Sequence, residues 1–448
     1  MSTSSPSPLT WAVIGAGPSG LAAARTLQRR GLPWTGYEAA PGVGGLWDID
    51  SPRSTVYESA HLISSRSTTE YTEYPFDDSV ADYPSHRELK QYFNGFADHF
   101  GLRSGFAFDT EVVRIEPDGD EWLVTVRDVA AGRDEEQTVR HAGVLVANGT
   151  LAEPNVPRFP GTFTGEVMHT AAYKKASRFA GKRVLVIGAG NSGCDIAVDA
   201  VHHAEAVDIS VRRGYYFVPK YLLGRPADTL NQGKPLPPRL KQFLDSRLLK
   251  LFTGDPVRFG FPKPDHKIYE SHPVVNSLVL HHVGHGDIGV RKDVERFDGE
   301  EVVFVDGSRG AYDLVVLATG YHLHYPFVDP KHLDWAGPGS STSPDLHLNI
   351  FPSASRNLFV LGMVEASGLG WQGRYEQADL VAAYLDARRR RPERAAALDA
   401  AIAGPRPDLT GGYRYLGLER MSYYVNKDAY RRCVRAATEA LDAPEKGN

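Results

Sequence analysis

A glycine-rich pattern that occurs twice constrains the fold of this chain more than any other feature. Each copy has a short apolar run, a turn with three glycines and a run of helix-forming residues, and the copies occupy residues 11–25 and 183–200. A buried strand, a glycine turn and a helix in this order begin a dinucleotide-binding unit. The sequence therefore predicts an α/β fold with two Rossmann-like dinucleotide-binding domains.

The glycines of each motif have separate roles. In the first copy Gly15 permits the tight turn, Gly17 lets the backbone approach a pyrophosphate, and Gly20 lets the helix pack closely on the strand. A phosphate is expected at the helix N-terminus, where unpaired N–H groups and the helix dipole favour an anion. The second motif is Gly188, Gly190, Asn191, Ser192 and Gly193.

The end of the next strand distinguishes the two copies. Glu38 has about the spacing of a carboxylate that accepts hydrogen bonds from a ribose, although it could be a surface acid. At the comparable place in the second copy stand Arg212 and Arg213, whose planar guanidinium groups suit a 2′-phosphate unless both are solvated. The second unit is therefore predicted to bind NADPH rather than NADH.

Further segments predict how the two units are connected. The glycines of residues 41–47 could let main chain pass close to a flat ring system, with a simple surface loop as the alternative. Residues 143–147 and 313–318 are apolar and are predicted to be strands that return to the first sheet. The second unit is thus predicted to be inserted within the first.

Composition excludes several classes of protein. The 448 residues include 50 Lys and Arg against 55 Asp and Glu, and the net charge of −5 gives no basic field for nucleic acid. Cys194 and Cys433 alone form neither a disulfide framework nor a Cys-x-x-Cys pair. Apolar runs fall short of the roughly 20 residues that span a membrane, and residues 1–10 are predicted to be a frayed tail rather than a secretory signal. A cytoplasmic enzyme is expected, with no membrane partner.

Three other features receive simple interpretations. Residues 217–264 are predicted to be irregular loops with one amphipathic helix over about 238–252. A helix is predicted from Gln377, and the arginine run 388–391 is interpreted as its solvated end. The patterns His281-His282-x-x-His285 and His322-x-His324 lack an accompanying Cys or carboxylate pattern, so no metal is predicted.

Residues 163–174 carry the most specific pattern, Phe-Thr-Gly-Glu-Val-Met-His-Thr-Ala-Ala-Tyr-Lys. It resembles the Phe-x-Gly-x-x-x-His-x-x-x-Tyr-Lys fingerprint of the flavin-containing monooxygenases, a subgroup of the class B flavoprotein monooxygenases. Related Baeyer-Villiger monooxygenases usually carry Trp where this sequence has Tyr173, so the fingerprint favours heteroatom oxygenation over ketone oxygenation. Gly44-Gly45-Leu46-Trp47 and Ala318-Thr319-Gly320-Tyr321 agree with the resemblance, which spans roughly residues 10–385.

The resemblance implies two cofactors and a division of the chain. FAD would occupy residues 1–165 and 313–448, the latter with C-terminal helices, and NADPH would occupy residues 166–312. The implied activity is NADPH- and dioxygen-dependent oxygenation of a soft nitrogen or sulfur nucleophile through a flavin hydroperoxide. The implied FAD ligands are Gly15, Gly17, Pro18, Ser19, Gly20, Glu38, Gly45, Leu46 and Trp47, the implied NADPH ligands are Gly188, Gly190, Asn191, Ser192, Gly193, Arg212 and Arg213, and further cofactor contacts are His169, Tyr173, Lys174, Ala318, Thr319, Gly320, Tyr321 and Gln377.

One position departs from the family. Many members have an Asn after the Tyr-x-Ser segment, near the flavin and the nicotinamide, whereas residues 57–67 of this chain contain none. The polar residues in its place are His61, Ser64, Ser65 and Arg66, each of which could instead be a satisfied structural group. They are the catalytic candidates, and if they cannot replace the amide the enzyme is expected to release hydrogen peroxide.

Two alternative functions stay open from the sequence. A Baeyer-Villiger monooxygenase would convert ketones to esters, and a flavin-bound NADPH oxidase or regulatory protein would turn over no substrate. The substrate pocket is expected to include the irregular region 217–264 and the loops near 321–327. A homodimer is the predicted assembly.

Overall fold

Two parallel sheets organise the computed structural model, which describes residues 8–130, 132, 135–231, 236–340 and 342–443. Residues 1–7 of the predicted tail lie outside this part, as do the last five residues of the predicted C-terminal segment. In chain order the strands are β1 (Trp11–Ile14), β2 (Trp34–Tyr37), β3 (Phe106–Ala107), β4 (Thr110–Asp118), β5 (Glu121–Asp128), β6 (Glu136–His141), β7 (Gly143–Val146), β8 (Glu153–Pro154), β9 (Gly161–Phe163), β10 (Glu166–His169), β11 (Arg183–Ile187), β12 (Ala206–Ser210), β13 (Tyr221–Leu222), β14 (Arg225–Pro226), β15 (Ile288–Arg291), β16 (Val294–Gly299), β17 (Glu301–Phe304), β18 (Arg309–Ala311), β19 (Leu314–Leu317), β20 (Tyr321–His322) and β21 (Leu358–Val360). The helices are α1 (Pro18–Arg29), α2 (Arg66–Thr69), α3 (His86–His99), α4 (Asn191–Val201), α5 (Pro238–Thr253), α6 (Leu278–His285), α7 (Gly370–Arg390), α8 (Pro392–Ala403) and α9 (Lys427–Asp442).

The two sheets confirm the predicted fold class. The first has the order β21-β7-β1-β2-β3 and the second the order β10-β19-β11-β12-β15, and every pair within them is parallel. All strands of the second sheet lie between β7 and β21 in the sequence. The second dinucleotide-binding unit is therefore inserted into the first.

One predicted strand lies in the other sheet. Residues 313–318 do form a buried strand, β19, but it pairs with β10 and β11 in the second sheet, so the prediction that it returns to the first sheet is wrong. An apolar run shows that a strand is buried without showing which sheet it joins. The strand that does return is β21, which has three residues and gives too short a pattern to recognise. The predicted boundary at residue 312 thus falls before the last strand of the second sheet.

Helices cover the first sheet and complete its core. Helix α1 packs on α7, and Leu21, Ala22, Ala23 and Ala24 of α1 are fully buried. Helix α7 begins at Gly370, seven residues before the predicted start at Gln377. The arginine run at its end is paired rather than simply solvated: Arg389 and Arg390 lie 2.9 and 3.0 Å from Asp386, and Arg391 lies 3.6 Å from Asp386.

Helix α5 confirms the predicted helix over 238–252, but its orientation is unusual. Its polar side contacts the protein: Gln242 Nε2 donates to Ile268 O at 3.0 Å, and Asp245 Oδ2 accepts from Tyr269 Oη at 2.5 Å. Its apolar side chains face outwards, with exposed fractions of 45–79% for Leu240, Phe243, Leu244, Leu248, Leu251 and Phe252. The helix is therefore fixed by polar contacts and leaves an apolar face uncovered by the described residues.

Candidate active site

The first glycine turn forms a cradle at the N-terminus of α1. Gly15 has φ +102°, and a Cβ there would lie 2.7 Å from Ala147 O. A Cβ on Gly20 would lie 1.8 Å from Gly15 O, so the helix can pack on the turn only with glycine at both positions. Pro18 occupies the first turn of the helix, where its missing N–H costs no hydrogen bond, and its carbonyl accepts from Tyr71 Oη at 2.6 Å.

The segment after Glu38 closes over this turn. A Cβ on Gly45 would lie 3.0 Å from Gly17 Cα, and Gly44 N donates to Ala16 O at 3.0 Å. A 3₁₀ turn over Gly45–Trp47 follows, in which Leu46 O accepts from Ser54 Oγ at 2.6 Å. The indole of Trp47 meets that of Trp371 edge-on at 6.4 Å between ring centroids. The predicted flavin loop therefore lies against the first glycine turn.

Glu38 lies beside the turn with its carboxylate on main-chain donors. Oε2 accepts from Ala16 N at 2.6 Å and Oε1 accepts from Ala40 N at 2.8 Å. Burial raises the pKa of Glu38, and the two N–H donors oppose that rise only in part. Each oxygen can accept a second hydrogen bond, so the carboxylate can still receive a ribose hydroxyl.

The second glycine turn has the same close backbone contacts as the first at its first and third glycines. Gly188 has φ +109°, and a Cβ there would lie 2.4 Å from Ala318 O. A Cβ on Gly193 would lie 2.0 Å from Gly188 O, while a Cβ on Gly190 would meet no atom within 4 Å. Asn191 Oδ1 accepts from Val275 N at 2.7 Å and thereby fixes the segment that passes the turn.

A second repeat, which the sequence analysis missed, faces the two turns. The carbonyls against Gly15 and Gly188 belong to Ala147-Asn148-Gly149 and Ala318-Thr319-Gly320, and each triplet directly follows a buried strand. The signal was the shared Ala-x-Gly after an apolar run, of which only the later copy was singled out. Each cradle is thus built from a glycine turn and an Ala-x-Gly turn.

The chain crosses between the units just beyond these triplets. Strand β8 pairs antiparallel with β20, so the outward and the return crossing lie side by side. Thr319 Oγ1 donates to Asn155 O at 2.5 Å, and Asn155 N donates to Gly320 O at 3.0 Å. His169 Nε2 lies 3.0 Å from Gly320 O, its ring meets that of Tyr321 edge-on at 5.1 Å, and burial lowers the pKa of His169. His169 is therefore part of the junction between the units.

Tyr173 and Lys174 hydrogen-bond to other segments of the protein rather than pointing freely into a cradle. Lys174 Nζ donates to Ser54 O at 2.6 Å and to Val56 O at 3.1 Å, and burial lowers its pKa. Tyr173 Oη donates to Asp199 Oδ2 at 2.8 Å, and its ring stacks on Phe179. In this structure the end of the fingerprint holds the segment after the predicted flavin loop against the second unit.

The arginines after β12 differ from each other. Arg212 is exposed, whereas Arg213 is half-buried and its Nη1 is shielded from solvent without a partner among the described residues. The nearest carboxylate oxygen to Arg213 Nη2 is Asp265 Oδ2 at 3.8 Å. A buried guanidinium nitrogen without an acceptor is costly, so Arg213 suits an anionic ligand better than Arg212 does.

Sequence reasoning missed a polar network at the start of α4. Asp195 accepts from Tyr57 Oη at 3.1 Å and from Asn276 Nδ2 at 2.6 Å, and burial raises its pKa. Asp195 lies four residues after Asn191, on the same helix face, so the sequence shows that two polar groups share this face but does not show their partners.

The four catalytic candidates are not brought together. His61 is exposed, with Nδ1 2.8 Å from Ser59 O, and Arg66 Nη1 donates to Asp77 O at 2.7 Å. Ser64 Oγ lies 2.7 Å from Thr69 Oγ1. Ser65 is buried, and its N–H and hydroxyl donate to Asp228 Oδ2 of the second unit at 2.7 and 3.0 Å. Among the described residues, Ser65 is the one of the four candidates whose hydrogen bonds join the two units.

Gln377 is fully buried, and both ends of its amide hydrogen-bond to the protein. Its Oε1 accepts from Gly362 N at 2.9 Å, and its Nε2 donates to Tyr430 Oη at 2.6 Å. Gly362 has φ +88°, and a Cβ there would lie 2.5 Å from Ser19 Oγ. Gln377 therefore supports the turn that faces the first cradle rather than lining the cradle itself.

Comparison with known proteins identifies the family. The model of the flavin-binding monooxygenase-like family matches residues 10–398. The chain belongs to this family. It is 32% identical over 348 residues to flavin-containing monooxygenase 5 of Oryctolagus cuniculus, covering 71% of this chain and 63% of that enzyme, and 32% identical over 334 residues to indole-3-pyruvate monooxygenase YUCCA4 of Oryza sativa subsp. japonica, covering 70% and 74%. The match thus spans less than two thirds of the rabbit enzyme.

Solved structures share the fold across nearly the whole chain. S-allyl-L-cysteine S-oxygenase of Allium sativum aligns with a TM-score of 0.65 at 20% identity, covering 96% of this chain and 88% of that chain. Cyclohexanone monooxygenase of Rhodococcus sp. Phi1 bound to NADP⁺ aligns with a TM-score of 0.69 at 20% identity, covering 96% and 97%. Among the described residues, no helix has the length and apolar character needed to cross a bilayer.

The residues present fit the family's cofactors, FAD and NADPH. In each cradle a Cβ at Gly20 or Gly193 would collide with the carbonyl of Gly15 or Gly188, so only glycine keeps the helix this close to the turn where a pyrophosphate would bind. Glu38 retains acceptor capacity beside the first cradle. Arg213, which follows β12 of the second sheet, offers a buried donor that has no acceptor among the described residues.

Proposed function

We propose that this protein is an NADPH- and dioxygen-dependent monooxygenase that oxygenates a soft nitrogen or sulfur nucleophile, with FAD in the first cradle and NADPH in the second. The observation that carries the proposal is the pair of matching cradles, joined by the crossings at β8 and β20, where His169 packs on Tyr321. Tyr173 in place of Trp supports heteroatom oxygenation over ester formation. The garlic protein with this fold is named an S-oxygenase.

Bound FAD, reduced by NADPH, supplies the redox chemistry that activates dioxygen. The chain supplies binding and orientation. The N-termini of α1 and α4 receive the two pyrophosphates, since their first N–H groups have no partner within the helix. Glu38 accepts from the FAD ribose, and Arg213 donates to the 2′-phosphate of NADPH, which separates NADPH from NADH.

Closure of the junction excludes water from the reacting atoms. Ser65 and Thr68 of the first unit donate to Asp228 of the second, and Tyr83 Oη contacts Lys220 O. Ser65 is therefore the candidate that best replaces the absent Asn, because it lies between the units. His61, Ser64 and Arg66 stay predictions, as do the homodimer and the cytoplasmic location.

Isotope incorporation tests the reaction. The FAD-loaded chain is supplied with NADPH and ¹⁸O₂ together with a thioether, a tertiary amine or a cyclic ketone. One ¹⁸O in a sulfoxide or N-oxide for each NADPH oxidised is expected. An ester from the ketone would show Baeyer-Villiger activity instead. NADPH oxidation that yields only hydrogen peroxide with every compound would show an oxidase.

Replacing Arg213 tests the assignment of NADPH. Arg213→Gln removes a charge-assisted hydrogen bond of about 1.5–3 kcal/mol, so the KM for NADPH should rise about tenfold or more while that for NADH changes little. Arg212→Gln is the matched control, because Arg212 is exposed. Equal effects of the two substitutions would contradict the assignment.

A further inference from the structure

Three metal-ligating side chains converge at the end of α6, outside both cradles. His282 and His285 lie three residues apart on this helix and share a face, and Asp287 follows just beyond its end. One ligand atom from each of the three lies within 4.8 Å of the other two. Within the described ranges, no other set of three His, Cys, Asp or Glu side chains meets this condition.

The helix end places the carboxylate. Gly286 has φ +86° and ends α6, with its N–H donating to Val283 O at 3.1 Å. The next N–H, that of Asp287, donates to His282 O at 2.9 Å. This hydrogen bond turns the chain back so that Asp287 lies against the last turn of α6. Asp287 Oδ2 consequently lies 2.9 Å from His282 Nδ1 and 3.8 Å from His285 Nδ1.

A further histidine lies beside this cluster, at the end of a neighbouring helix. His202 follows α4 directly, and its ring centroid lies 5.7 Å from that of His282 with the two rings nearly perpendicular. Helices α4 and α6 pack against each other. The exposed His202 thus borders the cluster from a separate element.

We propose that His282, His285 and Asp287, with His202 as fourth ligand, bind a Zn²⁺ ion. Two or three imidazoles and one carboxylate are donors that Zn²⁺ accepts in tetrahedral sites. Ligand atoms about 2.0–2.1 Å from a tetrahedral ion are about 3.3 Å apart, so small side-chain rotations close the present spacing. The histidine pattern alone predicts no metal, and the carboxylate that completes the set is Asp287, two residues after His285.

The position of the site separates its role from the proposed reaction. The second glycine turn lies at the N-terminus of α4 and His202 lies beyond its C-terminus, about 16 Å away along an 11-residue helix. A bound ion would therefore join the far end of α4 to α6 without entering the cradle. We expect it to stabilise the second unit and to leave the cofactors in place.

Calorimetric titration with zinc chloride tests the site. The full chain is loaded with FAD, freed of any affinity tag, treated with a chelator and dialysed. One Zn²⁺ per chain is expected. His285→Ala and Asp287→Asn should each weaken binding about tenfold or more, and His202→Ala should weaken it as well. His281→Ala is the matched control, because His281 lies on the same helix outside the cluster and should leave the affinity unchanged.

Thermal unfolding gives a second readout that does not depend on activity. Zinc should raise the Tm of the unaltered chain and of His281→Ala, but not that of His285→Ala. The absence of saturable binding in the micromolar range would overturn the proposal. Unaltered affinity in both His285→Ala and Asp287→Asn would overturn it too, and unaltered affinity in His202→Ala would remove His202 from the site.

Discussion

Contacts of single atoms determine which residues the two glycine turns can hold. A Cβ on Gly20 or Gly193 would lie 1.8 or 2.0 Å from the carbonyl of the glycine that begins the same turn. These positions could be predicted, because the contact is local and the motif states which residue must be small. The contact between Asp195 and Asn276 could not be predicted, because it depends on which distant segments meet.

Gly193→Ala should damage the second unit selectively. The added methyl group would also lie 3.0 Å from Ala318 Cβ, so the helix or the turn must shift. We expect a loss of about 1–3 kcal/mol in the free energy of unfolding and weaker binding of NADPH. Gly417→Ala is the control, since a Cβ there meets no atom within 4 Å. Equal denaturation midpoints for the two variants would contradict the close packing.

At the scale of elements, helix α5 shows what an amphipathic pattern does not reveal. The pattern predicted the helix correctly, but an apolar stripe normally faces the core and here it faces outwards. Among the described residues, eleven of the eighteen large apolar side chains that are exposed lie between residues 221 and 257. The contacts of Gln242 and Asp245 show which side of the helix is held.

On α5, replacing a polar residue should therefore lower the free energy of unfolding more than replacing an apolar one, the reverse of the usual order. Leu251→Gln should change the free energy of unfolding by no more than about 0.5 kcal/mol, because Leu251 is 79% exposed. Gln242→Ala should lower it by about 1–3 kcal/mol, because Ile268 O loses its donor in a buried position. Urea denaturation measures both, and a larger loss from Leu251→Gln would show that the apolar side is the one that packs.

The fingerprint is also explained at this scale. Its residues are a sequence signal of high specificity, yet the contacts of Tyr173 and Lys174 are structural, because they bind segments that are distant in the sequence. A pattern gives the identity of such residues without their partners.

Lys174→Met should loosen the segment that follows the predicted flavin loop. Ser54 O and Val56 O would both lose a donor, at a cost of about 1–3 kcal/mol in unfolding free energy. Lys175→Met is the neighbouring control, because Lys175 is exposed. Thermal denaturation of the FAD-loaded proteins checks this, and a Tm for Lys174→Met as high as that of the control would rule out the fastening role.

The whole molecule could be predicted as two nested dinucleotide-binding units, since both glycine motifs and their order are visible in the sequence. Which sheet each strand joins was harder to predict from the sequence. Strand β19 joins the second sheet and β21 the first, although β19 has the stronger apolar pattern. Sheet membership depends on pairing between segments far apart in the chain, and neither apolar character nor length encodes that pairing.

The stability of the whole chain should depend on pH through His272. Burial lowers the pKa of His272 to about 3, and its Nε2 has no partner among the described residues. The unfolded chain therefore binds more protons below about pH 6.5, and the free energy of unfolding falls as the pH drops from there towards 3. One such group contributes at most about 1.4 kcal/mol per pH unit.

His272→Asn should flatten this dependence while its amide oxygen keeps a partner in Tyr424 Oη, which lies 3.1 Å from His272 Nδ1. Urea denaturation at several pH values between about 4 and 7 measures the slope. The other buried histidines are common to both proteins and cancel in the comparison. An identical slope in the variant would show that His272 is protonated in the folded protein at its ordinary pKa.

The pairing of β8 with β20 has a consequence for how such a chain can arise. Glu153 lies opposite His322 and Pro154 opposite Tyr321, so the points where the second unit starts and stops are neighbours in space. The second unit can therefore be inserted into a protein that has only the first unit through a single insertion point in its gene. Because the two ends of the inserted unit are adjacent in space, the insertion needs no additional linker.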